Sequence, residues 1–308
     1  MAARLSVVVP NLDSPWVGHT LAALAAQGAP GPGVEVLVVG RDAPGLVPRG
    51  GTPGGDTVRL VETAERLNPA AARNRGVAEA RGDLLLFTDA DCRPLPGWLD
   101  ALAAALARSP VAGGAVTFPR TGSTWALADN VASFHELLAD RPGEAATTGP
   151  LGSLNLACTR AAWEETGPFD EVLTTSEDLD WVLRARHAGL ATAFVPAAVV
   201  EHAAVRETRQ ALVRHAAWYG ANFHDFRRRH PEALATGPTW RRRWLLAATA
   251  PAKAVASALA IYRRHPRLLA DCRRALAGVI LFKLAWYRAV LAGWPSAADR
   301  RPAGGAQR

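Results

Sequence analysis

Leu84-Leu85-Leu86-Phe87-Thr88-Asp89-Ala90-Asp91 is the stretch whose reading decides the fold. An apolar run of strand length, too short for a helix of its own, stops at two carboxylates one residue apart. In an open α/β sheet, ligands gather beyond the carboxyl ends of the strands. Residues i and i+2 point the same way while the chain is extended, so both acids can face one ion. Magnesium and manganese take oxygen ligands and leave positions for water and substrate phosphate. The pair therefore suits a divalent cation that carries a phosphorylated ligand. Taken alone, it reads equally well as a solvated turn after a strand.

The flanking sequence settles the class. Upstream, Leu5-Ser6-Val7-Val8-Val9 is a β-branched strand broken at Pro10-Asn11. A helix is expected from Pro15 to Gln27, a second strand over Val34–Val39 ending at Gly40-Arg41-Asp42, and a third over Val58–Val61. Residues 43–56, rich in Gly and Pro, read as a mobile loop. They are not a phosphate loop, because no Gly-Lys-Ser/Thr follows. Pro69 to Ala80 reads as a helix, with Pro69 in its first turn and Gly82 beyond its end. Downstream, helices are expected over 96–108, 125–138, 160–166 and 176–188, and strands over 111–118 and 154–158. A loop of small residues is expected over 140–152. Two short strands, 193–195 and 199–202, precede one long helix over 205–230. Strand and helix in alternation predict an α/β fold with a mostly parallel central sheet and helices on both faces.

The 308 residues allow one large α/β domain with an appendage, and 49% hydrophobic residues exclude disorder in bulk. Cys92, Cys158 and Cys272 are odd in number and far apart. They suggest neither a disulfide framework nor a metal cluster, and point to a reducing compartment. Cys92, beside Asp91, reads as a packing residue or a reactive thiol. The chain runs directly into a strand, so no cleavable signal peptide is expected.

Charge divides the chain. Residues 1–202 carry a net −8 and residues 203–308 a net +15. An acidic body with a basic, apolar tail calls for an anionic partner, either lipid headgroups or nucleic acid. The tail holds apolar segments at Trp244–Ile261 and Ala275–Trp294, each long enough to cross a bilayer. Pro251, Lys253, Lys283 and Arg288 interrupt them. Three readings stay open: helices lying in the membrane interface, a spanning hairpin, or a soluble helical cap or dimer surface. Interleaved tryptophans favour lipid, and no nucleic-acid motif is present. The expected division is a catalytic domain over 1–230 and a basic helical extension over 231–308, disordered from 295 onward.

The motifs together resemble family 2 inverting glycosyltransferases, which have the glycosyltransferase A fold. Ser6-Val7-Val8-Val9-Pro10-Asn11 resembles the family's first strand. Asn68-Pro69-Ala70-Ala71-Ala72-Arg73-Asn74-Arg75-Gly76 resembles its helix before the metal strand. Phe87-Thr88-Asp89-Ala90-Asp91-Cys92 resembles its Asp-x-Asp segment. Gly152-Ser153-Leu154-Asn155, Gly167-Pro168-Phe169-Asp170 and Ser176-Glu177-Asp178 resemble its acceptor-side block. The resemblance covers residues 5 to about 220. It departs at the second strand, where Gly40-Arg41-Asp42 replaces the usual paired aspartates. The Gln-x-x-Arg-Trp motif of processive synthases is also absent, since Gln210, Arg214 and Trp218 have the wrong spacing.

The resemblance implies a nucleotide-diphosphate-sugar donor, UDP-linked as the first expectation, and a Mg²⁺ or Mn²⁺ ion. It implies Asp91 as metal ligand, with Asp89 touching the ion or the ribose and His202 completing the shell. Asp178 would be the catalytic base, with Glu177 orienting it or the acceptor. Pro10, Asn11, Asp42, Arg73, Asn74 and Asn155 would line the donor site, with Ser153 near donor or acceptor. Transfer of one sugar to a glycan or lipid-linked acceptor at the cytoplasmic membrane face follows. The alternative is a nucleotide-sugar-binding protein of the same fold that does not catalyse.

Overall fold

The structure, a computed structural model, describes residues 4–48, 58–140, 149–231 and 237–294. Most of the expected loops at 43–56 and 140–152, and the expected disordered end, lie outside the described residues. The chain forms two compact units, residues 1–122 with 133–205, and residues 123–132 with 206–308.

The first unit holds β1 (Leu5–Leu12), α1 (Val17–Ala25), β2 (Val34–Arg41), β3 (Val58–Glu62), α2 (Pro69–Glu79), β4 (Leu84–Thr88), β5 (Cys92–Pro94), α3 (Trp98–Leu106) and β6 (Val111–Thr117). After α4 (Thr124–Phe134) come β7 (Asn155–Thr159), α5 (Arg160–Thr166), α6 (Glu177–His187) and β8 (Thr192–His202). The eight strands form one sheet in the order β3-β2-β1-β4-β7-β6-β8-β5. The β3-β2-β1-β4 half is parallel, as is β6 with β8, while β7 and β5 run antiparallel to their neighbours. Val7–Val9, Val36–Val39 and Leu85–Phe87 are wholly buried. A parallel strand covered on both faces needs such continuous apolar runs. Phe87, Trp163, Phe169 and Trp181 stack edge and face beneath β4.

Two elements differ from expectation. The two short strands near 193 and 199 are one strand, β8, whose register against β6 slips between Gly114 and Ala115. Pro196 lacks an N–H to donate, and the irregularity absorbs it without breaking the strand. The helix expected over 205–230 is two, α7 (Arg209–Ala221) and α8 (Phe223–Arg229), divided at Asn222. The Asn222 amide turns back to donate to the Trp218 carbonyl at 2.9 Å.

In the second unit, α9 (Arg243–Arg264), α10 (Pro266–Cys272) and α11 (Leu276–Ala292) follow α7 and α8. Helices α7 and α9 both pack on α11. At Gly220 a Cβ would stand 2.4 Å from the Trp286 carbonyl oxygen, so the α7–α11 approach requires glycine there. Asp129 is buried and accepts from Arg206 and from the His215 ring at 2.7 Å, an arrangement that anchors α4 to α7.

Candidate active site

The end of β4 organises the site. After Thr88 the chain turns through Asp89-Ala90-Asp91 and enters β5, a three-residue strand that pairs antiparallel with β8. Cys92 lies opposite His202, and the Asp91 carbonyl accepts the Ala203 amide at 2.9 Å. This pairing carries His202 to Asp91, with Nε2 3.6 Å from Oδ2. The Phe134 ring stands 4.7 Å from the imidazole, centroid to centroid. The Cys92 thiol is buried, and burial together with Asp91 and Asp89 pushes its pKa well up. It is therefore the packing residue of the two readings, not a reactive thiol.

Asp91 and His202 are close enough for one ion to touch both. Among the described residues no set of three His, Cys, Asp or Glu converges on a metal position. The chain thus offers one carboxylate and one imidazole, and this fits an ion that keeps most of its shell for water and phosphate oxygens. Asp89 is committed differently. Its Oδ1 accepts from Arg73 Nη2 at 2.6 Å.

Arg73 is the hinge of the site. It projects from α2, is 2% exposed, and donates through Nη1 to Glu177 Oε1 at 2.7 Å as well as to Asp89. One guanidinium therefore ties the tip of β4 to the first turn of α6. Burial opposes its charge, but Asp89, Glu177 and Asp178 outweigh burial and raise its pKa. Its position on α2 is set by the Asn68 cap, whose side chain accepts the Ala71 amide, and by Pro69 at the first turn.

Helix α6 begins at Ser176, a non-glycine residue at φ 62°. That left-handed conformation is costly for a side-chain-bearing residue and is held by its surroundings. The following Glu177, Asp178 and Asp180 complement the positive end of the helix. Asp178 Oδ2 accepts from the Ser153 amide at 2.9 Å and its hydroxyl at 3.3 Å, and Oδ1 accepts from the Leu179 amide. Glu177 is buried. Burial, reinforced by Asp178 and only partly offset by Arg73, pushes its pKa up to about 7.

A cavity of about 260 Å³ opens beside these groups. Pro10, Leu12, Val39, Gly40, Leu67, Pro69 and Ala72 form its apolar side, Asn11 and Ser14 add polar groups, and Arg73, Asp89 and Asp91 make its charged rim. It lies beyond the carboxyl ends of β1, β2 and β4, where ligands of parallel sheets bind. Its floor depends on Gly40, at φ 128°, since a Cβ there would meet the Asn11 carbonyl oxygen at 2.1 Å. A second cavity, about 290 Å³ and lined by Trp16, His19, Arg93 and Glu201, also borders Asp91.

The model of the family described as "Glycosyltransferase like family 2" matches residues 3–221. This chain belongs to that family. The "Pre-mycofactocin glycosyltransferase" of Mycobacterium tuberculosis is 31% identical over 175 residues, which are 54% of this chain and 36% of the relative. "Glycosyltransferase AglE" of Haloferax volcanii is 27% identical over 198 residues, 62% of this chain and 64% of the relative. The chain thus spans between about one third and two thirds of these relatives. A mannosyltransferase of Pyrobaculum calidifontis, solved with GDP-Man and Mn²⁺, superposes with TM-score 0.54 at 21% identity, covering 94% of this chain and 86% of that one. S. aureus TarS residues 1–349, solved with UDP, gives TM-score 0.50 at 15% identity, covering 92% and 91%. These two show the glycosyltransferase A fold.

Within this family 2 chain, the expected site residues divide. Asp89, Asp91, His202, Arg73, Glu177 and Asp178 are brought together, and Pro10 and Asn11 line the cavity. Three others are turned to structural work. Asp42 accepts the Leu46 and Val47 amides and is buried, so it folds the loop after β2 and does not face the cavity. Asn74 closes both sides of its amide on Phe169 and adds Glu171, which pins the loop before α6. Asn155 is buried, accepts from Trp98 Nε1, and donates to the Ala115 and Ala198 carbonyls. It thereby clamps the β8 irregularity. A short polar residue beside a motif looks alike in both roles until its partners are seen. The sequence reading also missed the bridging role of Arg73, the β5–β8 pairing, and Leu12 and Leu67 as cavity walls. The three-residue Cys92–Pro94 strand carries no periodic signal, and only the position of His202 in the family pattern hinted at the pairing.

The buried Glu177 gives a pH prediction. Its folded pKa lies above the ordinary carboxylate value, so its contribution to stability is full in acid and is lost as pH rises through about 7. Arg73, Asp89 and Asp178 face it and carry the opposing and reinforcing charges. Glu177→Gln mimics the neutral form. Relative to the wild type, the variant should gain stability between pH 5 and 8, by roughly 3 kcal/mol at most. Urea unfolding of both proteins at a series of pH values measures this, and parallel curves would refute it.

Proposed function

We propose that this chain transfers a single sugar from a nucleoside-diphosphate sugar to a hydroxyl acceptor, with inversion at the anomeric carbon. The observation that carries the reading is the Asp89–Arg73–Glu177 chain of ion pairs, which joins the acids beyond β4 to the first turn of α6, where Asp178 follows Glu177. The base and ribose would occupy the apolar side between Leu12, Val39, Leu67 and Pro69, with the diphosphate toward Asp91. Asp91 and His202 would hold Mg²⁺ or Mn²⁺, which when bound neutralises charge on a departing diphosphate.

Asp178 would take the proton from the acceptor hydroxyl. As that oxygen bonds to the anomeric carbon, the carbon's bond to the diphosphate oxygen breaks, and the nucleoside diphosphate leaves with the electron pair. No covalent enzyme intermediate is needed. Ser153 and the α6 N-terminus hold the Asp178 carboxylate in place, and a positioned base contributes roughly 10²–10⁴-fold. Arg73 keeps the metal-side and base-side acids at a constant separation, and positioning of this kind lowers the entropic part of the barrier. The basic, apolar helices of the second unit, two of them long and apolar enough to cross a membrane, suit an acceptor at the cytoplasmic face of a membrane, a lipid-linked sugar or a cell-envelope glycan.

A thermal-shift panel of UDP-, GDP- and dTDP-sugars, with and without Mn²⁺, tests this. A donor at about 100 times its Kd adds roughly 2.7 kcal/mol to native stability. The shift should depend on the ion in the wild type, and Asp91→Asn should lose the ion-dependent part. An equal response in both proteins would remove Asp91 from the metal site.

A further inference from the structure

We infer that α9 lies flat in the headgroup layer of an anionic phospholipid bilayer, through one exposed face. This deepens the membrane-facing part of the function proposed above and is independent of its chemistry. One face of α9 carries Leu246, Ala250, Ala254, Ala258 and Ile261, all buried within the second unit. The opposite face carries Trp244, Ala248, Ala252, Val255 and Leu259, all exposed. These sit at spacings of three and four, so they form one continuous stripe along the helix. Trp244 is 65% exposed, Leu259 46% and Val255 41%. A soluble helix does not ordinarily present such a run to water.

The ends of the stripe identify what covers it. Arg241, Arg242 and Arg243 precede it, Arg263, Arg264 and Arg267 follow it, and α9 contains no acid. Of these six, none forms an ion pair among the described residues. Arginines at both ends of an apolar stripe match phosphate headgroups, and the match is to a surface rather than to a pocket. One further detail favours the flat orientation over a crossing one. Lys253 lies at mid-helix, where a spanning helix would carry it to the bilayer centre. Lying flat, the helix would bury its apolar face by roughly 5–10 Å.

Spin labels on Trp244→Cys, Ala248→Cys, Ala252→Cys, Val255→Cys and Leu259→Cys, added one at a time to the full chain, read the orientation. The three native cysteines are buried and leave the label to the introduced thiol. With vesicles of phosphatidylglycerol and phosphatidylcholine, all five labels should report one depth, and pure phosphatidylcholine should bind at least tenfold less. Val255→Glu should weaken sedimentation with the anionic vesicles by roughly tenfold. Its unfolding transition and its Mn²⁺-dependent response to the donor panel should stay unchanged. A depth profile deepest at Ala252, equal binding to neutral vesicles, unweakened binding of Val255→Glu, or a wild-type dimer that Val255→Glu dissolves would each overturn the assignment. Loss of vesicle binding with donor response intact would leave the catalytic reading standing.

Discussion

Asp178→Asn should lower turnover by roughly 10²–10⁴-fold at saturating donor, with donor affinity nearly unchanged. The substitution keeps size and shape, and the Asn side-chain oxygen can still accept the Ser153 amide that Asp178 accepts at 2.9 Å. What it removes is the basic oxygen that would collect the acceptor's proton. It also removes a negative charge that contributes to the raised pKa of Glu177, so that residue should ionise more readily in the variant. The separation of turnover from affinity is the informative readout. A residue that merely capped α6 would alter stability and leave turnover close to normal. Donor affinity by thermal shift and nucleoside diphosphate release under saturating acceptor measure the two sides. Full turnover by Asp178→Asn would exclude it as the base.

Arg73→Met should be the most destabilising single change in the site, by about 3–5 kcal/mol. Methionine fills much of the volume, so a cavity is a small part of the loss. The main part is electrostatic, because Asp89 and Glu177 each lose a charged partner at 2.6 and 2.7 Å. Deprived of it, buried Glu177 must take up a proton or draw water into a space that excludes it, while Asp89, at the cavity rim, loses its partner in partial contact with solvent. Arg73→Lys keeps the charge but not the fork, so it cannot reach both acids at once. It should recover part of the stability and little of the activity. Urea unfolding of the three proteins, together with donor response, tests this. A loss below about 1 kcal/mol for Arg73→Met would show that the bridge is not a structural tie.

These expectations rest on different kinds of information. The parallel half of the sheet could be read from the chain, because Val7–Val9 and Leu85–Phe87 are apolar at every position, and only a strand covered on both faces accepts that. The motifs around Asp91 and Asp178 could be read too, since their residue types and spacing are local properties. The split at Asn222 and the single strand β8 could not. The strand depends on a neighbour distant in sequence, the Asn155 amide on the Ala198 carbonyl, while the split is closed by the Asn222 amide on Trp218, a contact that the residue type does not announce.

Sequence alone, then, determined the family, the strand that ends in two acids, and the presence of a basic, apolar tail, because each is written in composition or in short-range spacing. Tertiary structure decided which polar residues face the cavity. Asp42, Asn74 and Asn155 are as polar as Asp91, but the Leu46 and Val47 amides hold the first, Phe169 and Glu171 the second, and Trp98, Ala115 and Ala198 the third. A buried polar group needs a hydrogen-bond partner, and for Asn74 and Asn155 the partners lie dozens of residues away in the chain. The same holds for Arg73, whose two acids lie 16 and 104 residues away.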